Sequence, residues 1–537
     1  MGIIWKGGTV YTMISEMDTV EAVFTEDGKI VDTGSASDLQ RAYEGRIDRI
    51  HNLHGNTMFP GFTDSHLHII GHGEKLIHLD LSTMKSSEEV KAALRSRASQ
   101  LEPGEWLIGE GWNENHWENP VILHKDELDE ICPENPMMLS RICRHALLAN
   151  SAAMEQAGIT DATEDPQGGV IVRDHSGKAT GYFLDTAQEF IKNVIPEMSE
   201  EHLTAIVQTA VDDLHRNGLV GGHTEDLNYY GGFLKTYQAF TNGIDGNKRK
   251  FRAHLLVHHE VIDDMKSAGL DYQEGTEFVE MGAMKIFSDG ALGGRTAWLS
   301  EPYNDDPENS GINIHSKNSL EALVQKAREY GMPVAIHAIG DKAVEAVVET
   351  LKKHPLKNGR RDRIIHAQIV NDYLLDQLEE LDVVLDIQPT FVASDFPWII
   401  DRIGEKRLTH AYAWKTFLNR QIPCAAGSDA PIESINPLLG IEAAVLRKSS
   451  VNGQNYQDEQ RLSMYEAISL YTNGSAYASC HEQDQGRIAP GFKADFTIFD
   501  QDPFKIDPEK ITTLQVQQTV VDESVVYRNN YRTTDPY

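Results

Sequence analysis

Residues 60–68 read Pro60-Gly61-Phe62-Thr63-Asp64-Ser65-His66-Leu67-His68, a short apolar run that ends in two histidines one residue apart. Because side chains alternate between the two faces of a β-strand, His66 and His68 would point the same way and could hold one metal ion together. Two polar residues in a turn are the alternative interpretation. The metal site is favoured because further strand-like runs end in or near potential ligands, namely Lys285, His337, His366 and Asp429.

The bulk composition excludes several classes of function. The chain has 537 residues, which suggests two or three domains, and it is 40% hydrophobic and 24% charged, as globular proteins are. A formal net charge of −33 argues against nucleic acids and anionic membranes as partners, because both require a basic surface. The four cysteines include no Cys-x-x-Cys pair, so the sequence predicts neither a disulfide framework nor a thiolate zinc site.

Signals for export or membrane insertion are not recognised. The first residues lack the long apolar segment of a secretory signal, and no run approaches the ~18 apolar residues of a membrane span. We therefore expect a cytoplasmic protein that acts on a small-molecule substrate, with a homodimer as the assembly to be tested.

The middle of the chain alternates strand-like and helical patterns, which is typical of a parallel sheet. Several of the strand-like runs are almost entirely apolar, as strands buried on both faces should be. Eight of them fit a closed (β/α)₈ TIM barrel within residues 59–480. The candidate strands are Phe62–Asp64, Val220–Thr224, Ala253–Val257, Ala283–Phe287, Val334–His337, Ile364–His366, Val383–Ile387 and Cys424–Ala426.

The two chain ends have a different texture. Residues 1–58 and 481–537 both consist of short strand-like runs separated by turn residues. Neither end has enough strands for a stable domain, because an isolated hairpin is only marginally stable. We therefore predict an α/β protein in which the two ends together form one small β-sandwich.

Residues 70–205 interrupt the alternation. They contain a predicted helix, Ser87–Gln100, and two strand-like runs, Trp106–Gly109 and Met137–Ser140. We interpret this segment as a large insertion after the first barrel strand, since a typical barrel needs only ~250 residues. In the alternative interpretation Trp106–Gly109 is itself the second barrel strand.

Barrel enzymes carry their chemistry at the carboxyl ends of the strands. The potential ligands fall there, on five different candidate strands, and their side chains would point into one mouth; they are His66, His68, Lys285, His337, His366 and Asp429. Nitrogen and oxygen ligands without a thiolate suit Zn²⁺, with Mn²⁺, Fe²⁺ or Ni²⁺ as alternatives.

Lys285 needs a separate explanation, because an ammonium group cannot ligate a cation. Burial beside two divalent ions would favour the neutral amine. A neutral amine can add CO₂ to form a carbamate, which would bridge two metal ions as a carboxylate does. The alternative interpretation is an ion pair between Lys285 and a local carboxylate such as Asp289.

The sequence resembles the amidohydrolase superfamily, and more narrowly the YtcJ-like, amidohydrolase-3 group, which includes N-substituted formamide deformylase. The resemblance runs from end to end and rests on six motifs in order, namely 59–68, 285–293, 337–341, 366–368, 427–431 and 486–495. It implies a barrel plus a split β-sandwich and a metal-dependent hydrolase. It also implies that His66, His68, Lys285, His337, His366 and Asp429 form the metal site, with Lys285 carbamylated.

The mechanism expected from these residues is attack by a metal-bound hydroxide. One or two cations would lower the pKa of a bound water and polarise the substrate carbonyl. Asp429 would take the proton of the water and pass it to the leaving amine, and His366 or His337 would act as a second electrophile if only one metal were bound. We predict hydrolysis of a carbon–nitrogen bond other than a peptide bond, in an N-formyl or N-acyl amide. The alternatives are a deaminase or esterase on the same scaffold, and an inactive oligomeric scaffold.

Substrate contacts are harder to assign from sequence. Trp112, His116 and Trp117 form an aromatic loop that could line a pocket for an apolar or aromatic substituent, or could pack the insertion against the barrel instead. The resemblance places a histidine such as His145 near the pocket, and a structural role is the alternative. Two further candidates are set aside: Arg295 is expected to form a structural ion pair, and His258-His259 cannot both face the site because neighbouring strand residues face opposite ways.

Overall fold

The protein is described by a computed structural model that covers residues 2–141, 146–357 and 359–529, without the side chain of His116. The chain divides into two compact units. The first comprises residues 1–71 and 200–537, and the second comprises residues 72–199. None of the helices in the described part of the chain combines the length and the apolar character that crossing a membrane requires.

The described residues form 22 strands. In chain order these are β1 (Gly2–Tyr11), β2 (Thr19–Glu26), β3 (Lys29–Gly34), β4 (Ile47–Asn52), β5 (Thr57–Pro60), β6 (Phe62–Leu67), β7 (Leu79–Asp80), β8 (Leu107–Trp112), β9 (Met137–Arg141), β10 (Ala146–Ala149), β11 (Gly169–Arg173), β12 (Ala179–Asp185), β13 (Leu219–Thr224), β14 (Arg252–His258), β15 (Val279–Phe287), β16 (Val334–Ala338), β17 (Asp362–His366), β18 (Val383–Ile387), β19 (Cys424–Ala426), β20 (Phe496–Phe499), β21 (Val516–Val521) and β22 (Ser524–Arg528).

The same residues form 18 α-helices. In chain order these are α1 (Ala36–Ala42), α2 (Ile69–Ile77), α3 (Ser87–Ala98), α4 (Lys125–Ile131), α5 (Ser151–Gln156), α6 (Glu189–Lys192), α7 (Glu200–Arg216), α8 (Phe233–Gly243), α9 (Ile262–Ser267), α10 (Lys317–Glu329), α11 (Asp341–Lys353), α12 (Asp372–Glu379), α13 (Thr390–Asp395), α14 (Trp398–Arg407), α15 (Trp414–Asn419), α16 (Pro437–Leu446), α17 (Met464–Ser469) and α18 (Ser475–Ala478).

Eight parallel strands form the barrel, in the order β6-β13-β14-β15-β16-β17-β18-β19. Each of the eight runs predicted from sequence lies within or overlaps one of these strands, so the predicted (β/α)₈ fold is confirmed. The first and last strands meet just beyond β19. There the backbone N–H of Asp429 donates to the carbonyl of His66 at 2.7 Å, and the N–H of His68 donates to the carbonyl of Ala430 at 2.8 Å.

The barrel forms because its strands are buried on both faces and its helices on one. Every residue of β13, β16, β17 and β18 is buried. Amphipathic helices such as α11 cover the outer face, and α11 buries Val344, Val347 and Leu351. Inside the barrel, side chains from neighbouring strands form an apolar cluster of Leu256, Ala283, Ala335 and Ile365, as expected for the layered core of this fold.

Strands from both chain ends share one sheet in the first unit. Its order is β22-β21-β20-β5-β1-β2-β3, with β4 paired to β1. The two ends join where β20 pairs antiparallel with β5, and Trp5, Met58, Phe496 and Ile498 are buried in the common core. Because neither end could bury these side chains by itself, the small domain requires both. We propose 1–58, 59–480 and 481–537 as the sequence divisions of this arrangement.

The second unit, which comprises most of the predicted insertion, contains a six-stranded sheet in the order β11-β12-β10-β9-β8-β7. Most of the run Trp106–Gly109 lies in β8, which pairs with β7 and β9. The alternative that this run is the second barrel strand is therefore wrong, since β13 holds that position. Apolar runs of this length are compatible with either sheet, which is why the sequence left both interpretations open.

Candidate metal centre

The six predicted ligands lie at the carboxyl ends of five barrel strands. His66 and His68 belong to the end of β6, and the remainder are Lys285 in β15, His337 in β16, His366 at the end of β17 and Asp429 after β19. The local reason is similar for each strand: a buried strand ends, and a polar side chain at or near its carboxyl end faces the mouth.

Three of these side chains already form a ligand cluster. One donor atom each of His66, His68 and Asp429 lies within 4.8 Å of the other two. The Nε2 atoms of both histidines are 3.5 Å from Oδ1 of Asp429. Among the described residues, this is the one group of three or more His, Cys, Asp or Glu side chains gathered so closely. Two imidazoles and a carboxylate are a donor set that fits a divalent transition metal.

Hydrogen bonds orient two of the imidazoles for ligation. Nδ1 of His68 is 2.6 Å from the backbone carbonyl of Glu225, which can only accept, so Nδ1 carries a proton and Nε2 is the nitrogen that faces Asp429 and the metal site. Nδ1 of His366 is 2.7 Å from Oε1 of Gln388. The amide nitrogen of Gln388 donates to the carbonyl of Asp386 at 3.1 Å, which fixes Oε1 as the acceptor. His366 therefore also presents Nε2.

The rings of His337 and His366 lie beside the cluster of His66, His68 and Asp429 at the rim of the barrel. The ring centroids of His337 and His366 are 4.6 Å apart, and those of His66 and His366 are 5.7 Å apart. Nε2 of His337 is 3.1 Å from the carbonyl of Gly290 and 3.3 Å from Oδ1 of Asp289. The four imidazoles therefore share one mouth, although the pair His66 and His68 is far from the pair His337 and His366 in the sequence.

Lys285 is completely buried in the same mouth. Its Nζ lies 3.2 Å from Nε2 of His66 and 4.4 Å from the centroid of the Phe287 ring. Burial lowers the pKa of the Lys285 amine, although the charges of Glu225 and Asp429 act in the opposite direction. Within the described chain no ion pair joins Lys285 to Asp289, whose carboxylate instead accepts the backbone N–H groups of Trp298, Ile339 and Gly340 at 2.8–3.0 Å.

The electrostatics separate neutral from charged imidazoles. Burial, together with the charge of Lys285, holds the pKa of His66 well below its usual value, and burial lowers the pKa of His366 to about 3. Burial disfavours the charged form of His68 too, but its hydrogen bond to Asp429 raises the pKa of His68 to about 9. His66 and His366 are therefore in the neutral form that ligates metals, and a cation beside Asp429 would replace the proton of His68.

Several residues near the site were not predicted. Glu225 and Asp226 follow directly after β13, and both are buried. The hydroxyl of Tyr229 donates to Oε2 of Glu225 at 2.9 Å. The rule that selected the histidines, a polar side chain at the end of a barrel strand, would have selected both carboxylates as well. Gln388 follows the same rule at the end of β18.

Trp112 and Trp117, predicted to contact substrate, are buried in the core of the second unit, where their indole N–H groups donate to the carbonyls of Leu139 at 2.9 Å and Met84 at 3.2 Å. Both tryptophans therefore pack within their own unit, which is neither the predicted pocket wall nor the predicted packing of the insertion against the barrel. The side chain of His116 and the whole of His145 fall outside the described residues.

The two candidates that were set aside have other partners. Nε and Nη2 of Arg295 donate to the carboxylate of Asp305 at 3.1 and 2.9 Å, so Arg295 forms an ion pair. The ring of His258 stacks on His259 at 4.5 Å between centroids, so the prediction that the two face opposite ways is wrong, because β14 ends at His258; neither residue belongs to the ligand cluster.

Comparison with known proteins agrees with this geometry. The model of the amidohydrolase family matches residues 49–527. The chain is 49% identical to the YtcJ amidohydrolase of Bacillus subtilis (strain 168) over 532 residues, which cover 99% of this chain and 100% of that protein. It is 24% identical to the N-substituted formamide deformylase of Arthrobacter pascens, over 96% of this chain and 97% of that one.

A solved structure shows the same fold. The crystal structure of an uncharacterized metal-dependent hydrolase from Pyrococcus horikoshii OT3 superposes with a TM-score of 0.81 at 30% identity, over 95% of this chain and 99% of that one. An enzyme fold, a ligand cluster at the catalytic end of the barrel and a family match across most of the sequence agree with one another. The chain belongs to the amidohydrolase family, and it is a metal-dependent hydrolase.

Proposed function

We propose that this enzyme hydrolyses the carbon–nitrogen bond of an N-formyl or N-acyl amide, releasing an acid and an amine. The observation that carries the proposal is the cluster of His66, His68 and Asp429 at the mouth of the barrel. The likeness to a formamide deformylase along nearly the whole chain supports this choice of substrate. We further propose that the metal is Zn²⁺, as one or two ions, which imidazole and carboxylate donors suit.

The roles of the residues follow from their contacts. A divalent cation held by these side chains would supply Lewis-acid chemistry, acidifying a water molecule and polarising a carbonyl. The contact with His68 keeps the pKa of Asp429 below its usual value even though burial acts in the opposite direction, so the carboxylate is ionised at neutral pH. Asp429 is thus placed to take the proton of the attacking water and to deliver it to the leaving nitrogen.

We propose that His337, His366 and a carbamylated Lys285 complete the metal site. Lys285 is fully buried among nitrogen ligands, and burial favours its neutral amine, which is the form that adds CO₂. Addition of CO₂ to the neutral amine would release one proton and leave an anionic carbamate as the ligand. It also predicts that metal binding to the metal-free protein depends on bicarbonate, and that Lys285→Ala abolishes this dependence.

The test combines metal loading with a substrate screen. The metal-free protein is reconstituted with Zn²⁺ and offered N-formyl amines and N-acyl amines, with released amine and released ammonia measured separately. Amine release supports the proposal, whereas release of ammonia from amidines or ring amines, or turnover of esters alone, would replace it by deamination or ester hydrolysis.

Asp429→Asn tests the proton transfer within the same assay. General acid–base catalysis contributes about 10²–10⁴-fold, so we expect a rate loss of that size in a variant that still binds most of its zinc. Metal content is measured on the same sample. A zinc-loaded Asn variant that turns over like the wild type would remove Asp429 from this role.

A further inference from the structure

The interior of the barrel is polar at its amino-terminal end, opposite the metal centre. Barrel interiors are normally filled by branched apolar side chains. Here His223, His254, Arg363 and Asp386 all lie inside, with exposed fractions of 0–3%. A buried polar group that lacks a hydrogen-bond partner costs free energy, so each of these atoms needs a partner.

Arg363 and Asp386 form an ion pair directly under the metal centre. Nε of Arg363 donates to Oδ2 of Asp386 at 2.7 Å. Nη2 of Arg363 donates to the carbonyl of Ser65 at 2.6 Å, immediately before the ligand His66. Nη1 of Arg363 is buried and has no hydrogen-bond partner among the described residues. It therefore offers an unused N–H donor inside the barrel.

His223 and His254 offer the complementary acceptors. Burial lowers the pKa of both, so each imidazole is neutral, with one N–H and one lone pair. Nδ1 of His254 bonds to Oε1 of Glu280 at 2.7 Å, which leaves the lone pair on Nε2. His223 bonds to the backbone of Ser65, and its Nδ1 remains. Neither remaining nitrogen has a partner among the described residues.

The two acceptors lie close together. The ring centroids of His223 and His254 are 4.9 Å apart. The backbone of Gly282 packs closely against the ring of His254, since a Cβ at that position would lie 2.6 Å from Nε2. The free space beside the two rings is a small cavity that both histidines line.

We propose that this part of the barrel is a water-binding site, in which ordered water accepts from Nη1 of Arg363 and donates to Nδ1 of His223 and Nε2 of His254. Nη1 of Arg363 carries two N–H donors, and water, which both accepts and donates, can take one of them while donating to a lone pair of each imidazole. A metal cation would also suit two imidazoles, but the guanidinium charge of Arg363 acts on both rings and opposes a cation there.

A hydrogen-bonded route connects the site to solvent. Oε1 of Glu280 also contacts Nε2 of His481 at 2.8 Å, and Nδ1 of His481 is 3.2 Å from Oδ1 of Asp484. The side chains along this route are more exposed than His254, which is 4% exposed: the exposed fraction is 22% at Glu280, 19% at His481 and 40% at Asp484. A cavity of about 30 Å³, more than the ~10–15 Å³ that one water molecule needs, is lined by His223, His254, Glu280 and His481.

The consequence is a solvent-filled polar path that enters at the amino-terminal end of the barrel and ends beneath His66. Through the bond from Arg363 to the carbonyl of Ser65, the water would help to hold the strand that carries the first two ligands. This inference concerns the interior of the barrel and does not depend on the substrate.

The test is a high-resolution crystal structure of the metal-loaded enzyme, with water-¹⁷O relaxation to count long-lived waters in solution. We expect water within ~3.2 Å of the three unpaired atoms. His223→Leu should lose at least one long-lived water, while Ile365→Val in the apolar cluster, a matched control, should keep the wild-type number. A dry interior in which the side chains pair directly, an anomalous signal from a cation, or an unchanged count in His223→Leu would overturn the proposal. The wild-type structure decides by itself if the variant does not fold.

Discussion

Gly427 is the position at which the smallest change should cause the largest loss. It lies between the last barrel strand β19 and Asp429, where the chain passes against the first strand β6. A Cβ placed on Gly427 would lie 2.4 Å from the backbone nitrogen of His66, 2.7 Å from its carbonyl oxygen and 2.8 Å from Oδ1 of Asp64. Two of these three atoms are backbone atoms of a buried strand, which cannot turn aside as the end of a flexible side chain does.

The size of the effect follows from these distances. Ordinary contact begins at 3.4 Å, so Gly427→Ala must separate the two segments by about 1 Å (3.4 − 2.4). The closing bond from the Asp429 N–H to the His66 carbonyl is 2.7 Å, and the same shift would take it to about 3.7 Å, beyond hydrogen-bonding distance. The bond from His68 to Ala430 lies in the same seam. Losing both, at ~1–3 kcal/mol each, predicts destabilisation of about 2–6 kcal/mol.

Activity should fall even if the variant folds, because the same movement spreads His66, His68 and Asp429. A misplacement of about 1 Å in a catalytic group costs roughly 10²-fold in rate. The assays are zinc affinity by equilibrium titration, turnover of whichever amide the screen identifies, and thermal unfolding. Gly293→Ala is the matched control, since it lies in the loop after β15 and its nearest atom would be 3.9 Å away, on the Trp398 ring. A Gly427→Ala enzyme with wild-type zinc affinity and rate would refute the reasoning.

Three further predictions test the surroundings of the site. Gln388→Leu removes the acceptor that orients His366 and should weaken metal binding by about 10–100-fold in a zinc titration. Gln388→Glu keeps an acceptor and is the control. Equal zinc affinities of the two variants would show that His366 needs no such partner. Burial disfavours the charged form of His481, but its carboxylate partners Asp484 and Glu280 raise the pKa of His481 from 6.5 to about 9. This shift corresponds to ~3 kcal/mol of stabilisation, which is complete below pH 6.5 and is lost as the pH rises through about 9. His481→Gln should therefore lower the free energy of unfolding at about pH 6 and have little effect at about pH 10, and a pH-independent difference would contradict the assignment. Trp112→Ala removes a buried side chain and should destabilise the second unit by ~3–5 kcal/mol, measured by limited proteolysis and thermal unfolding. A changed KM without loss of stability would instead indicate that Trp112 contacts the substrate.

The sequence by itself determined the barrel and the set of potential ligands. Strands of a parallel barrel are buried on both faces, so most of them are largely apolar runs, and such runs are visible without any knowledge of distant contacts. A polar residue at or near the end of such a run is equally local information. That is why Phe62–Asp64 and its seven counterparts coincide with or overlap barrel strands, and why His66, His337 and His366 were found at one rim.

Only the tertiary structure decided which of these groups touch one another and what surrounds them. The contact between His66 and Asp429 depends on how β6 and the segment after β19 close the barrel, and no local pattern carries that register. The same is true of Trp112 and Trp117, because an aromatic loop that lines a pocket and one that fills a core have the same sequence pattern. The polar interior around Arg363 could not be predicted for the same reason: Arg363 contacts Asp386 of the neighbouring strand β18 and Ser65 of the distant strand β6 only once the barrel has formed.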